Sequence, residues 1–461
     1  MDAEVPIMRF TSLSVAVILS VLSPLIAHAE LTLESAVEAA LSRSPGRGAL
    51  RAQALEAEAA GRETFGMRLP RLSARSGYTR GDDPVYVFGS LLRQQSFSQE
   101  HFDVGRMNEP ALHTNFNNAL ELGVPLFSAW ELQSRQQLSA LAVSDAALRL
   151  ELDAQRTRFQ VADAYLRVLQ GGALVAALDR RVADASADIE SARKLQEKGL
   201  VLGSDYEAAR AIQAGLRMRR VQAGRALEAA RGTLAILLGV APEAVQVSGR
   251  LSEAPFGGDE SVQRFVQAAE AGPELREAGL QEKAAAVNRR QADASVLPRL
   301  SAFGMLEANS RDLDRNPLYR MFGVRAEWAF GDFSYFPRRE RARRQEEAVR
   351  GQRARLKESV GVAVTQSYQR FKGAQESVPL AAEAVQRAEE SLKRFWPLYR
   401  EGRQSILEVL RAEAGLADAQ AGYWGTLYEV HQGYAGLLLA AGALDAEGIA
   451  VLDRNLREVQ P

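Results

Sequence analysis

Cysteine is missing altogether from this chain of 461 residues, which excludes thiol catalysis, cysteine-ligated zinc and a disulfide framework together. Histidine is nearly as scarce. The four present, His28, His101, His113 and His431, are scattered, and none has a partner at metal-ligand spacing. No phosphate-binding glycine loop, zinc-protease motif or serine-hydrolase elbow occurs, so no catalytic, cofactor-binding or metal-binding residue is expected and the chain does not read as an enzyme. Charge bias is missing too: 57 basic residues face 58 acidic ones, which gives no footprint for nucleic acid. The one basic cluster, Arg338, Arg339, Arg341, Arg343 and Arg344, follows a strand at a helix start and reads as a solvated or lumen-facing patch.

Long apolar runs are confined to the N-terminus. Arg9 precedes an apolar run from Leu13 to Ile26, and Ala27-His28-Ala29 puts small residues on either side of one position. Residues 1–29 therefore read as a secretory signal peptide, cleaved after Ala29, with Met8 a better natural start than the acidic stretch before it; a transmembrane anchor would need a longer run. Without a cysteine near the cleavage site, no lipid anchor is expected. Beyond Glu30 no stretch approaches the roughly 20 consecutive apolar residues of a spanning helix. The mature chain is thus expected either to be soluble in the periplasm or to cross the outer membrane as a β-barrel.

What is present is internal repetition. The pentapeptide Leu69-Pro70-Arg71-Leu72-Ser73 recurs as Leu297-Pro298-Arg299-Leu300-Ser301, 228 positions on. Further along, one offset of 203 pairs Phe127 with Phe330, Tyr165 with Tyr368, Gly199 with Gly402, Leu234 with Leu437 and Gly239 with Gly442. A run of pairs at one offset marks a tandem duplication. The two offsets differ by 25, so the first repeat carries a longer excursion between Ser73 and Phe127.

Each repeat has the same order of elements: a helix, two strand-like segments, a very long helix and its partner. Leu120, Leu122, Val124 and Leu126 alternate with Ala119, Glu121 and Gly123; Phe322, Val324, Ala326, Trp328 and Phe330 alternate with Met321, Gly323, Arg325 and Glu327. That period of two suits a strand with one face on lipid and one on water. Leu72, Ala74 and Tyr78 share a face in the less regular first strand. The strands are expected over about 70–80 and 116–128 in a first repeat spanning 30–239, and over 298–308 and 319–331 in a second spanning 273–441. The 25-residue excess, with Gly81-Asp82-Asp83-Pro84 and Asn108-Glu109-Pro110, reads as an enlarged extracellular loop.

Between Ala129 and Gln196 there is no proline, and Leu148, Leu152, Phe159 and Ala162 recur at helical steps, which predicts one helix over 129–196 about 100 Å long. A partner over 204–239 covers about half of that, so the helix from about Gly46 to Arg68 is expected to stack on it. The second repeat copies the plan, with helices over 337–400 and 405–441 and a stacking segment from Pro273 to Val296. Four strands cannot close a barrel, and open sheet edges are not tolerated in lipid. Two, three or four chains would supply eight, twelve or sixteen strands.

With the duplicated layout, the junctions Val124-Pro125-Leu126-Phe127 and Trp328-Ala329-Phe330-Gly331, and the turns Lys198-Gly199-Leu200-Val201 and Tyr399-Arg400-Glu401-Gly402, the chain resembles the TolC-like outer-membrane efflux proteins over nearly all of its mature length. The resemblance implies a mainly α protein with a membrane β-barrel: a homotrimer whose twelve-stranded barrel, in outer-membrane lipid, sits on an α-helical periplasmic tunnel. It further implies a mixed belt built from the segment after Glu30, a linker over 240–272 and a tail over 442–461. The implied function is a passive exit duct for small molecules, served by a periplasmic adaptor protein and an inner-membrane pump.

Carried onto this sequence, the resemblance places adaptor contacts at Gly199, Leu200, Val201, Gly402 and Arg403. It places a periplasmic gate at Ser204, Asp205, Tyr399, Arg403 and Gln404, with Arg403 one residue before the position where the family has its gate arginine. Glu408 falls at a pore-lining carboxylate position, and the next such position is Arg411, so cation selectivity should be weak. Type I protein secretion is a second cargo class for such a duct, and a soluble periplasmic coiled-coil adaptor is the non-channel alternative; only the channel needs membrane-length alternating strands. Seven unclustered methionines disfavour a soft-metal cargo.

Overall fold

The structure, a computed structural model, describes residues 31–457 apart from 254, 255, 257–259, 313–316 and 330; the expected signal peptide over 1–29, Phe330 and the last four residues of the tail lie outside the described residues. Thr32 caps the first helix, α1 (Leu33–Arg43), through a reciprocal bond with Ser35. Ser44 then caps α2 (Pro45–Gly66), with Pro45 in the first turn, where a missing N–H costs nothing. Strand β1 (Arg71–Gly81) leads into α3 (Pro84–Arg93) and the short α4 (Val104–Asn108), and β2 (His113–Ser128) returns.

The chain then re-enters a helix abruptly. Ala129 and Trp130 both take positive φ, at 50° and 62°, a turn that costs non-glycine residues about 1–2 kcal/mol each. It launches α5 (Glu131–Glu197), 67 residues long and so roughly 100 Å end to end, which returns as α6 (Gly203–Leu238). A connecting region holds α7 (Val262–Glu270). The second half repeats the plan with α8 (Pro273–Ala294), β3 (Arg299–Ser310), β4 (Leu318–Glu327), α9 (Tyr335–Arg400), α10 (Ile406–Ala440) and a terminal α11 (Ala446–Arg457). The last strand stops at Glu327, short of the expected 331, because Trp328 turns its indole N–H onto the Val296 carbonyl at 2.9 Å, and Gly331 adopts φ +81°. Helix α9 starts at Tyr335, two residues early, since Pro337 fits inside a first turn.

Paired positions of the two halves carry the same backbone conformation: Gly199 and Gly402 at φ +73° and +72°, Gly239 and Gly442 both at +66°. Leu234 and Leu437 are both fully buried. Tyr165 and Tyr368 each reach out of a long helix to main-chain carbonyls, Tyr165 to Leu31 and Ser248 at 2.7 Å and Tyr368 to Glu260 at 3.1 Å.

Along their length the helices form two antiparallel pairs. Helix α6 covers the lower part of α5 and α2 the upper; α10 and α8 do the same for α9; α5 also packs on α8 and α10. Part of α5 is long and apolar enough to cross a membrane by composition, but its Val161, Ala162, Ala164, Tyr165, Leu166 and Val168 are buried in the largest apolar core. Around this core lie the three non-repetitive segments. Leu31 pairs with the 246–248 stretch, Leu33 N–H donates to the Asp453 carboxylate at 2.9 Å, Ser252 Oγ donates to the Asn455 carbonyl at 2.6 Å, and Gln155 Nε2 donates to the Gly442 carbonyl at 2.9 Å.

The sheet runs β1-β2-β3-β4, antiparallel throughout. Its register aligns Leu72 with Leu122, Ala74 with Leu120, Leu120 with Leu306, Gly304 with Phe322 and Ala302 with Val324. Directly opposed residues share a face, so these form one mainly apolar face, interrupted by Ser76, Asn118 and Arg320. The other face carries Ser73, Glu121, Asn115, Asn117, Glu307, Asn309 and Arg325. Among the described residues, both outer strands, β1 and β4, have a free edge within the protomer.

The excursion read as an extracellular loop is not a loop of turns. Asp83 Oδ1 accepts the Tyr86 N–H at 2.7 Å and Pro84 occupies the first turn, so Asp-Pro starts α3.

Candidate functional site at the hairpin tips

The two long hairpins reverse by the same device. Glycine at positive φ lets the last helical carbonyls be satisfied: Leu200 N–H bonds Leu195 O at 2.9 Å beneath Gly199, and Arg403 N–H bonds Leu398 O at 2.8 Å beneath Gly402. Ser405 Oγ then caps α10 by accepting the Leu407 N–H at 3.1 Å. Of the expected contact residues, Gly199, Leu200, Gly402 and Arg403 are exposed, whereas Val201 packs into the apolar core under the tips. Leu202, absent from that set, is 70% exposed beside Leu200 at 71%.

Among the described residues of one protomer, no two of the expected gate residues bond to each other. Asp205 is linked across the hairpins, accepting a hydrogen bond from Ser405 Oγ at 2.9 Å. Ser204 and Gln404 are exposed. Arg403 pairs with its neighbour Glu401 at 3.2 Å. Tyr399 points inward instead, buried with its ring against Trp396, and its Oη has no hydrogen-bond partner among the described residues. Glu408 and Arg411 meet directly at 2.6 Å across one helical turn. The basic cluster at the start of α9 is largely paired, Arg338 with Asp332, Arg339 with Asp293 and Arg344 with Glu347.

Behind the tips lies a buried polar group that the motif-level reading missed. Arg181 Nη1 on α5 donates to Glu413 Oε2 on α10 at 2.9 Å, and its other terminal nitrogen pairs with Asp184 at 3.0 Å. Glu413 is 1% exposed and Asp188, one turn further along α5, only 2%. Burial, helped by the nearby Glu413 and Asp184 carboxylates, pushes the Asp188 carboxyl up to about 7, with Arg400 opposing. Burial also raises Glu413, although Arg181 counters it. Tyr399 is raised by burial and by the Asp188 charge. The sequence did hold a signal: Arg181, Ala185, Asp188 and Ala192 step by four, three and four, so the face that buries two alanines also carries two charges. Among the described residues no cluster of potential metal ligands occurs.

Residues 265–443 match a protein family described as outer membrane efflux protein. The chain carries an outer-membrane efflux protein domain. That domain takes in α7 to α10, the second of the two halves, including the tip turn at Gly402 and Glu408. No curated protein matches the chain in sequence. Solved structures match almost its whole length. The Campylobacter jejuni CmeC outer membrane channel covers 92% of this chain and 90% of its own, at TM-score 0.78 and 14% identity. The Vibrio cholerae outer membrane protein VceC covers 89% and 96%, at 0.75 and 16%. The open state of the Neisseria gonorrhoeae MtrE outer membrane channel covers 91% and 91%, at 0.73 and 15%. The efflux-protein domain and the half before it therefore share one fold with outer-membrane channels, and the resemblance read from the duplicated motifs is borne out.

Proposed function

We propose that this protein is a passive outer-membrane exit duct: a homotrimer that conducts small molecules out of a Gram-negative cell, loaded by an inner-membrane pump through a periplasmic adaptor. The observation that carries this reading is the sheet. It has one mainly apolar and one mainly polar face and, among the described residues, two unpaired edges, β1 and β4, and it stands on helices roughly 100 Å long. Edges of this kind are not tolerated in lipid, so β4 of one copy pairs with β1 of the next until the sheet closes. Three copies give twelve strands, the number that the family resemblance implies.

The surface area points the same way. The protomer exposes 29391 Å², whereas a compact monomer of 50.3 kDa would expose about 17,000 Å². Helix α2, with no buried residue of its own, would gain cover in the assembly.

In this reading the tips are the inner gate and the docking end. Asp205 ties the hairpins of one protomer through Ser405, Tyr399 packs beneath that contact, Ser204, Arg403 and Gln404 stand exposed where a neighbouring protomer would meet them, and the exposed Leu200 and Leu202, with Gly199, Gly402 and Arg403, meet the adaptor. Glu408 and Arg411 line the narrow opening. The test is to express the chain with its own leader, fractionate membranes and determine the mass of the detergent-extracted protein. Recovery from the outer membrane at three times the chain's mass is expected. Recovery as a water-soluble periplasmic protein would overturn the duct in favour of an adaptor or scaffold.

A further inference from the structure

The 84–112 excursion joins β1 to β2 at the end of the sheet away from the long helices, and it does not stand clear of the strands. It folds back over one face. Gln94 Nε2 donates to the Thr114 carbonyl and to Asn115 Oδ1, both at 2.9 Å, while its Oε1 lies 2.9 Å from His113 Nε2. Arg93 pairs with Glu307 at 3.4 Å, and the Tyr319 hydroxyl donates to the Leu92 carbonyl at 3.2 Å. Val87, Ser90 and Leu91 of α3 are buried by this docking. The face it covers is the polar one. His113, Asn115, Glu307 and Tyr319 alternate in register with the apolar series Phe116, Leu120, Leu306 and Phe322.

The contact is a closed network rather than a loose lean. Asn115 Nδ2 donates to Asn309 Oδ1 at 2.8 Å, and Asn117 Nδ2 donates to Glu307 Oε1 at 2.7 Å. Gln94, Asn115 and Asn309 are 7%, 7% and 0% exposed. Buried amides that satisfy one another fix a single geometry, because separating them would strand each group.

We infer that residues 84–112 form an inward-folded outer constriction, one from each protomer, that excludes bulky solutes from the barrel mouth while small ones pass. This rests on the barrel reading proposed above, in which the polar face lines the lumen. Twelve strands spaced about 4.8 Å apart and tilted about 40° close a barrel about 24 Å across between backbones. A helix about 10 Å thick lying on the inner wall spans most of the radius of about 12 Å. Three of them meet near the axis.

The absence of cysteine from the sequence makes a single introduced thiol unique. Glu121→Cys places it on the polar face halfway down β2, and Leu122→Cys places it on the apolar face one residue on. Whole cells carrying each variant are treated with a small charged maleimide and with a bulky polyethylene-glycol maleimide. With the native insert, Glu121→Cys is expected to react with the small reagent only. Replacing 84–111 by a short Gly-Ser turn, or undocking the insert by Arg93→Ala with Gln94→Ala, should raise the bulky reagent's rate by about tenfold or more, since pore width sets access. A bulky-reagent rate that is the same with the insert native, undocked or removed would overturn the constriction. Equal labelling of Leu122→Cys and Glu121→Cys by the charged reagent would instead overturn the barrel on which it rests.

Discussion

Replacing Asp188 with asparagine should make the tips more stable and remove most of their pH dependence. The carboxyl is raised from its ordinary 3.8 to about 7 by burial beside Glu413 and Asp184. Below about pH 4 it is neutral whether the tip is packed or open. Between 4 and 7 the opened state ionises first, so the packed tip loses stability as pH rises, and above about 7 the loss levels off. At about 1.4 kcal/mol for each tenfold difference, the whole interval corresponds to roughly 4 kcal/mol, or a factor of about a thousand in the opening equilibrium. Glu413, also raised, adds in the same direction. Hydrogen exchange read by mass spectrometry on the detergent-solubilised protein reports this equilibrium locally, in peptides covering residues 182–200 and 396–413. After correction for intrinsic exchange, wild-type protection there should fall between pH 4 and 8, and Asp188→Asn should stay high with a much shallower slope. Equal slopes in the two proteins would refute the assignment of the buried charge.

The core around the middle of the helices should respond to pH in the opposite sense. Burial lowers His431, fully enclosed against Phe256, to about 4, so stability there is lost as pH falls from about 6.5 towards 4, by roughly 3 kcal/mol; His431→Leu should abolish that loss in peptides covering residues 425–440. Gly442→Ala should lower the thermal midpoint more than Gly402→Ala. Both need positive φ, but an added Cβ at 442 would meet Pro273 Cδ at 2.9 Å, whereas at 402 it meets open space; the backbone share is about 1–2 kcal/mol in each, and equal midpoints would contradict the close approach. Arg411→Ala should increase cation over anion permeability in planar bilayers, because it frees the Glu408 carboxylate now held at 2.6 Å, and unchanged reversal potentials would remove both residues from the pore. Ser405→Ala, which breaks the bond to Asp205, should raise the open probability in the same recordings, while unchanged gating would leave that bond with a capping role alone.

Sequence alone determined whatever depends on local period and on repetition. The alternation at Leu120, Leu122 and Val124 already said which side of β2 would be apolar, and the unbroken helical steps through Leu148, Leu152 and Phe159 already required a helix near 100 Å. The offset of 203 marks both tip glycines and both helix-end glycines in the sequence, since a left-handed turn leaves a glycine at the same place in each copy. The start of α3 was legible as well, in Asp83-Pro84, but a cap followed by proline reads equally as a turn when the residues after it are short of period.

Only the tertiary structure decided which polar groups lose water. Asp188 and Arg181 look like the many other charges of α5 until α10 brings Glu413 against them from 232 positions away. Gln94 becomes a buried anchor because the excursion folds back onto β2, where it meets Thr114 and Asn115, and β3 closes the network by bringing Asn309 against Asn115 from 194 positions away. The pairing of β2 with β3 joins the two halves into one sheet. Desolvation is a property of the assembled neighbourhood, and no window of adjacent residues contains it.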